Sequence, residues 1–168
     1  MAVLNDCKYE YDVLGGRVRI TLIKSATSPD PLADQGHHEF TYALLPYAAA
    51  DQHILDHEAY DLNAPLRVLP AVRAPSRPSF PHIQTNCKNV ILETVKPAND
   101  GNGIIVRLFE AHGKATTTQL EFGVGVTSCE IVTIFETPDR SIEADGPMID
   151  LTFTPFQIMT VRVVLDDN

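Results

Sequence analysis

The stretch N-V-I-L-E-T-V at residues 89–95, followed by N-D-G-N-G at 99–103 and I-I-V-R-L-F-E at 104–110, decides the fold class. Both flanking runs are rich in β-branched and aromatic residues, which favour strands. The glycines between them can adopt positive φ without strain, as a tight turn requires. The stretch therefore predicts two antiparallel strands joined by a hairpin.

Four similar runs follow it, at residues 116–122, 128–135, 149–153 and 157–165. Six strands at this spacing, with no helix between them, predict an antiparallel β-sandwich.

The N-terminal half also reads mainly as strand. Gly15-Gly16 is a turn signal between strand-like residues 9–13 and 17–22, and residues 40–45 form another such run before Pro46. Residues 48–60 have a helical period and predict one short amphipathic helix. The predicted fold class is mostly β, an antiparallel β-sandwich or two packed β subdomains with one short helix.

Five prolines lie between residues 65 and 81. Proline lacks the N–H that a central strand donates, so this segment predicts an extended connection between two halves. The predicted organisation is a first β region at 1–69, a proline-rich connection at 70–82 and a C-terminal β-sandwich region at 83–168.

The formal net charge is −9, and no basic patch is evident. This composition disfavours nucleic acid and anionic membranes as partners, and no apolar run is long enough for a membrane helix. The three cysteines form no CxxC pair, and the start carries no signal-peptide pattern, so we expect reduced thiols in a cytoplasmic protein.

The loop between the predicted strands at 17–22 and 40–45 carries the candidate site. Its candidate residues are two carboxylates, an amide and two imidazoles, which suit acid–base or ligand-binding work: Asp30, Asp34, Gln35, His37 and His38. The alternative is a solvated turn in which the aspartates bind nearby backbone N–H groups.

The other motifs in the sequence give weaker indications of function. His53 and His57 share a helix face, but Ile54 stands where a zinc protease has glutamate, so surface histidines are the favoured interpretation. The glycine pairs at 101–103 and 123–125 lack the lysine of a phosphate loop, and no G-x-S-x-G sequence supports a hydrolase triad. Tryptophan is absent, which counts against a self-sufficient sugar-stacking module.

Four stretches in order carry a family resemblance: N-D-C-K-Y within residues 4–9, S-A-T-S-P-D-P-L-A-D-Q-G-H-H-E-F at 25–40, N-D-G-N-G-I-I-V-R-L-F-E-A-H at 99–112 and F-T-P-F-Q-I at 153–158. The chain resembles the C-terminal β-domain of α-mannosidases of glycoside hydrolase family 38, in the bacterial and cytosolic branch. It departs from the pattern at Glu10, where members often have glycine.

The resemblance implies a longer parent enzyme that hydrolyses α-mannosidic bonds with retention, using two carboxylates and a zinc ion. Those groups belong to its catalytic domain, so the resemblance implies no catalytic residue, no metal, no cofactor and no activity for this chain alone. It implies instead an accessory domain that braces the catalytic domain. The loop containing Asp34, Gln35 and His37 would face the pocket for a mannose-containing oligosaccharide.

A stand-alone carbohydrate-binding sandwich and a protein-interaction module remain the alternatives. A part of a longer enzyme would leave an apolar patch or an unpaired strand edge exposed, and a homodimer could cover it. A shallow groove lined by tyrosines would favour the carbohydrate-binding module.

Overall fold

The structure, a computed structural model, describes residues 1–68, 70 and 82–166 and divides the chain into two compact units, Met1–Pro70 and Ala71–Asn168. The predicted proline-rich connection falls largely on residues 71–81, outside the described residues. The described part is mostly antiparallel β-structure with one α-helix, which confirms the predicted fold class. None of its helices is both long enough and apolar enough to cross a lipid bilayer.

The first unit contains two separate strand pairs. The first pair joins β1 (Ala2–Asn5) to β4 (Tyr42–Leu45), and the second joins β2 (Tyr11–Leu14) to β3 (Arg17–Ile20), both antiparallel. Gly15 and Gly16 connect β2 to β3 with φ of 57° and 75°, the conformation that a two-residue hairpin turn requires. The predicted turn and the two predicted strands are therefore present, although the bounds of the strands differ slightly from those predicted.

The helix differs from the predicted range of 48–60. A short 3-10 turn spans Ala49–Asp51, and helix α1 then covers Ile54–Asn63. The helix ends at the residue before the C-cap Ala64, because Pro65 restricts the residue preceding it to non-helical conformations. No α1 residue is buried.

The second unit is a β-sandwich of two antiparallel sheets. Its strands are β5 (Ile83–Thr85), β6 (Val90–Pro97), β7 (Ile104–Glu110), β8 (Thr116–Phe122), β9 (Val126–Val132), β10 (Pro138–Ile142), β11 (Ala144–Asp145), β12 (Met148–Phe153) and β13 (Ile158–Leu165). One sheet has the order β10-β9-β13-β7-β6, and the other has the order β11-β12-β8-β5.

Alternating side chains from both sheets form one buried core. Val106 and Leu108 of β7 and Val161 of β13 face Leu120 of β8 and Phe153 of β12, all nearly inaccessible to solvent. Because strand side chains alternate between faces, the same strands direct their remaining residues outward. The predicted strands 104–110 and 116–122 coincide with β7 and β8.

The predicted strand 128–135 extends too far, because β9 ends at Val132. The Thr133 N–H donates to the Thr137 carbonyl at 2.9 Å, and Glu136 has a φ of 65°, so the chain turns back into β10. Three short strands were not predicted: β5, β10 and β11. β10 and β5 lie at sheet edges, where Pro138 is tolerated and apolar alternation is weak.

A buried carboxylate ties two loops of the sandwich together. Glu110 ends β7 with 1 % of its surface exposed and accepts hydrogen bonds from the Asn89 side chain and from the N–H groups of His112, Lys114 and Phe156, at 2.9–3.0 Å. Burial by itself raises the pKa of Glu110, but the bonds from Phe156, Asn89, His112 and Lys114 together lower it to about 2. The third and fourth stretches of the family resemblance are thus joined through this side chain.

Candidate functional site

The candidate loop of the first unit begins with a local turn at Asp30. The Asp30 carboxylate accepts a hydrogen bond from the Leu32 N–H at 2.9 Å, and its carbonyl accepts one from the Ala33 N–H at 3.3 Å. This is the self-bonded turn typical of aspartate. Asp30 therefore shapes the loop entry with its own side chain.

Asp34 holds the two ends of the loop together. It has a φ of 60°, and its carboxylate accepts a hydrogen bond from the Ser25 N–H at 2.7 Å. Its carbonyl accepts one from His38 Nε2 at 2.8 Å. Aspartate is one of the few residue types that tolerate this backbone region, and both bonds fix the loop geometry around it.

Asp34 and His38 line a polar cleft of about 220 Å³. Its other walls come from the chain after β1 and after β3, and the full lining is Cys7, Lys8, Tyr9, Glu10, Thr21, Leu22, Ile23, Lys24, Asp34 and His38. Asp30, Gln35 and His37 are exposed and are not among these residues. The structure thus brings together two of the five predicted site residues.

The wall opposite the loop is built by the first stretch of the resemblance. The Asn5 side chain accepts a hydrogen bond from the Lys8 N–H at 2.6 Å, and Asp6 accepts one from the Thr41 N–H at 2.9 Å. The Lys8 ammonium lies 4.7 Å from the centre of the Phe40 ring, a cation–π distance. Two cations of this cleft, Lys8 and Lys24, were not predicted; the stretch N-D-C-K-Y was the signal for the first.

Cys7 is a poor nucleophile in this setting. A hydrogen bond with Asp6 raises the pKa of the Cys7 thiol, and the same bond, with that from Thr41, lowers the pKa of Asp6. A thiol with a raised pKa remains protonated at neutral pH. The cleft is therefore better suited to binding a polar ligand than to covalent chemistry.

The first unit also contains an apolar cleft of about 230 Å³. It lies between the two strand pairs and is lined by Val3, Val18, Ile20, Leu22, Tyr42 and Leu44. Tyr42 and Leu44 remain well exposed although both belong to β4. The apolar patch expected for part of a longer enzyme is thus present, whereas the polar cleft and the apolar cleft described here each have one tyrosine in their lining.

The two helix histidines do not assemble a metal site with other ligands. His53 lies at the N-cap of α1 and His57 lies within the helix. Within residues 1–68, 70 and 82–166, no three His, Cys, Asp or Glu side chains cluster closely enough to hold a metal ion.

Sequence comparisons agree with the sandwich geometry. Residues 89–161 match the family described as glycosyl hydrolases family 38 C-terminal beta sandwich domain. Alpha-mannosidase 2C1 of Homo sapiens is 35% identical over 98% of this chain, and Alpha-mannosidase G of Dictyostelium discoideum is 30% identical over 98%. Alpha-mannosidase of Saccharomyces cerevisiae is 27% identical over 97%. The chain spans 16–17% of the length of these three relatives.

The second unit has two antiparallel sheets around one core, and its residues 89–161 match the C-terminal β-sandwich domain of family 38. The chain as a whole is similar to the C-terminal region of α-mannosidases of this family. The resemblance predicted from four short stretches is thereby confirmed.

Proposed function

We propose that this chain is the accessory C-terminal β-domain of an α-mannosidase, which hydrolyses α-mannosidic bonds with a catalytic domain outside this sequence. The names of the relatives support the activity. The observation that carries the accessory role is the exposure of the first unit, in which no described residue is buried. A region of about 70 residues that buries so little apolar surface needs a partner surface to be stable.

We infer that the partner is the catalytic domain of the same polypeptide. The apolar cleft and the exposed strands β1 to β4 provide apolar contact area, and both strand pairs leave edges without a partner among the described residues. A homodimer covering the same face is the second arrangement that this surface permits.

In this proposal the polar cleft closes part of the pocket for a mannose-containing oligosaccharide. Asp34 and Glu10 can accept hydrogen bonds from sugar hydroxyls, and Lys8 and Lys24 can donate them. Gln35 and His37, exposed beside Asp34, would lie at the rim. In this proposal the zinc ion that the family resemblance implies is held by the catalytic domain.

We also propose a cytoplasmic location. All three cysteines are free, and Cys7 is exposed. Free exposed thiols persist in reducing compartments, where disulfides are rare.

The test uses the full-length enzyme and a chromogenic α-mannoside. Asp34→Asn and His38→Ala alter cleft residues, whereas Asp30→Asn and His57→Ala make matched changes at exposed residues outside its lining. We expect kcat/KM to fall by about tenfold or more in the first two variants, which corresponds to roughly 1.4 kcal/mol, and to change little in the other two. Equal activity of all four folded variants would exclude a pocket role for this cleft.

The bracing role has a separate readout. Leu44→Asp places a charge in the apolar cleft and should lower the thermal stability of the full-length enzyme more than it lowers that of the 168-residue chain. Equal shifts in both proteins would show that the catalytic domain does not cover this face.

A further inference from the structure

A candidate cavity of the second unit lies on the outer face of its five-stranded sheet. This outer cleft has a volume of about 430 Å³ and spans β7, β13 and the end of β9. Its walls are part apolar and part polar, among them Phe109, Ile134, Ile158, Glu93, Arg107 and Thr160. Both the size and the mixed lining match sites for small ligands.

The strand register explains the mixed lining. Ile91, Phe109 and Ile158 are cross-strand partners and form an apolar row on the outer face. Arg107 and Thr160 are partners in the next row toward the other end of the sheet. Since adjacent rows on one sheet face are close neighbours, an aromatic wall stands directly beside a guanidinium group.

The hairpin between β9 and β10 forms one rim of the outer cleft. Phe135, 85 % exposed, and Ile134 lie at its tip. Next to them, the Glu136 carboxylate pairs with Lys96 Nζ at 2.5 Å and accepts the Asn99 N–H at 2.7 Å. These contacts hold the tip in place, so its apolar side chains are exposed on a fixed rim.

The polar groups of the outer cleft are held by hydrogen bonds but still have donor and acceptor atoms available for a ligand. Arg107 Nε donates to Thr160 Oγ1 at 3.4 Å, and no ion pair joins its terminal nitrogens to any described residue. Glu93 is exposed on the same lining, and its one hydrogen bond with a described residue is accepted from the adjacent Thr94 hydroxyl at 3.3 Å. The cleft therefore offers both charged donors and a charged acceptor.

This combination selects the chemistry of the ligand. An anion would be attracted by Arg107 but repelled by Glu93, and a purely apolar ligand would desolvate both groups without compensation. A pyranose has hydroxyls that donate and accept, together with a C–H face that packs on aromatic or aliphatic side chains. We propose that the outer cleft binds one neutral pyranose unit, with Phe109 and Ile158 against the ring and with Arg107 and Glu93 on its hydroxyls.

The choice of mannose as the first probe rests on the proposed function, whereas the pyranose chemistry of the cleft does not. The experiment is a titration of the ¹⁵N-labelled 168-residue chain with methyl α-mannoside and methyl α-glucoside, followed by amide chemical shifts. We expect saturable shifts at Arg107, Phe109 and Thr160 for at least one glycoside. Arg107→Met should raise the dissociation constant by about tenfold or more.

The matched control is Arg140→Met, which removes an exposed arginine of β10 that does not line the cleft. This variant should bind like the unchanged chain, and dispersed amide spectra verify that both variants fold. If neither glycoside shifts these amides, the proposal is overturned, and loss of binding in both variants overturns it as well. Equivalent saturable shifts with sodium phosphate would show an anion site instead.

Shifts that depend on protein concentration without sugar would show a contact between copies and would also overturn the proposal. The two proposals fail separately, because α-mannosidase activity is measured on the full-length enzyme. Sugar binding by the chain together with an inactive parent enzyme would reject the proposed function and retain the outer cleft.

Discussion

The two units differ in what their strands bury. In the second unit, Leu108, Val161 and Phe153 lie between two sheets and are inaccessible to solvent. The edge strand β6 has a register shift near Glu93 and ends at Pro97, and both features make it less able to pair with another strand. In the first unit, the strands β1 to β4 have comparable apolar content, but no described residue is buried. A β-strand is stabilised mainly by the surface that covers it, so similar sequences lead to a self-sufficient sandwich in one unit and to a dependent surface in the other.

The largest contrast is expected for leucine-to-alanine changes in the two units. Leu108→Ala removes a side chain with no exposed surface and should cost about 2–5 kcal/mol of unfolding free energy. Leu14→Ala removes one that is 67 % exposed and should cost less than about 0.5 kcal/mol. Urea denaturation of the 168-residue chain measures both, and comparable costs would mean that the first unit has a buried core after all.

The buried carboxylate of Glu110 makes the stability of the second unit depend on pH. Glu110 has a pKa of about 2 in the folded chain and 4.5 as its ordinary value, so it stabilises the fold fully above about pH 4.5. That contribution, on the order of 3 kcal/mol, is lost as the pH falls from 4.5 toward 2. Glu110→Gln should therefore lower stability at pH 7 and flatten its pH dependence between those values.

The control for this prediction is Glu121→Gln, which alters an exposed carboxylate of the same unit whose hydrogen bond is with Gln84. Denaturation followed at several pH values compares the two variants. An unchanged acid limb in Glu110→Gln would show that another group governs acid unfolding.

The smallest contrast concerns glycines with similar backbone conformations. Gly103 and Gly16 have φ of 82° and 75°, so alanine is strained at both, by about 1 kcal/mol. At Gly103 the added methyl would also collide with the Val163 carbonyl, whereas at Gly16 it meets open space. Gly103→Ala should be the more destabilising by a further 1–3 kcal/mol or so, and thermal melts of the two variants test the order.

Much of the sandwich could be predicted from local pattern. The strands 104–110 and 116–122 have the predicted bounds because their strand-forming residues and their flanking turns agree. β10 could not be predicted, because it begins at Pro138 and none of its residues is buried. Its strand conformation depends on pairing with β9, a contact that local sequence does not encode.

The candidate site was predicted in part. Asp34 and His38 lie in the polar cleft, while the roles of Asp30, Gln35 and His37 remain predictions. Lys24 could not be predicted, because it joins Asp34 and His38 only through the folding of the loop that follows β3. The outer cleft has no sequence motif at all, since its residues come from separate strands aligned by register.

The sequence alone determined the fold class, the turns and the family resemblance, because strand-forming runs, glycine conformation and short ordered motifs are local properties of the chain. Only the tertiary structure decided which strands are covered, which polar groups converge and where Glu110 is satisfied. Burial and hydrogen bonding depend on residues far apart in sequence, such as Glu110 and Phe156, and no local pattern specifies their meeting.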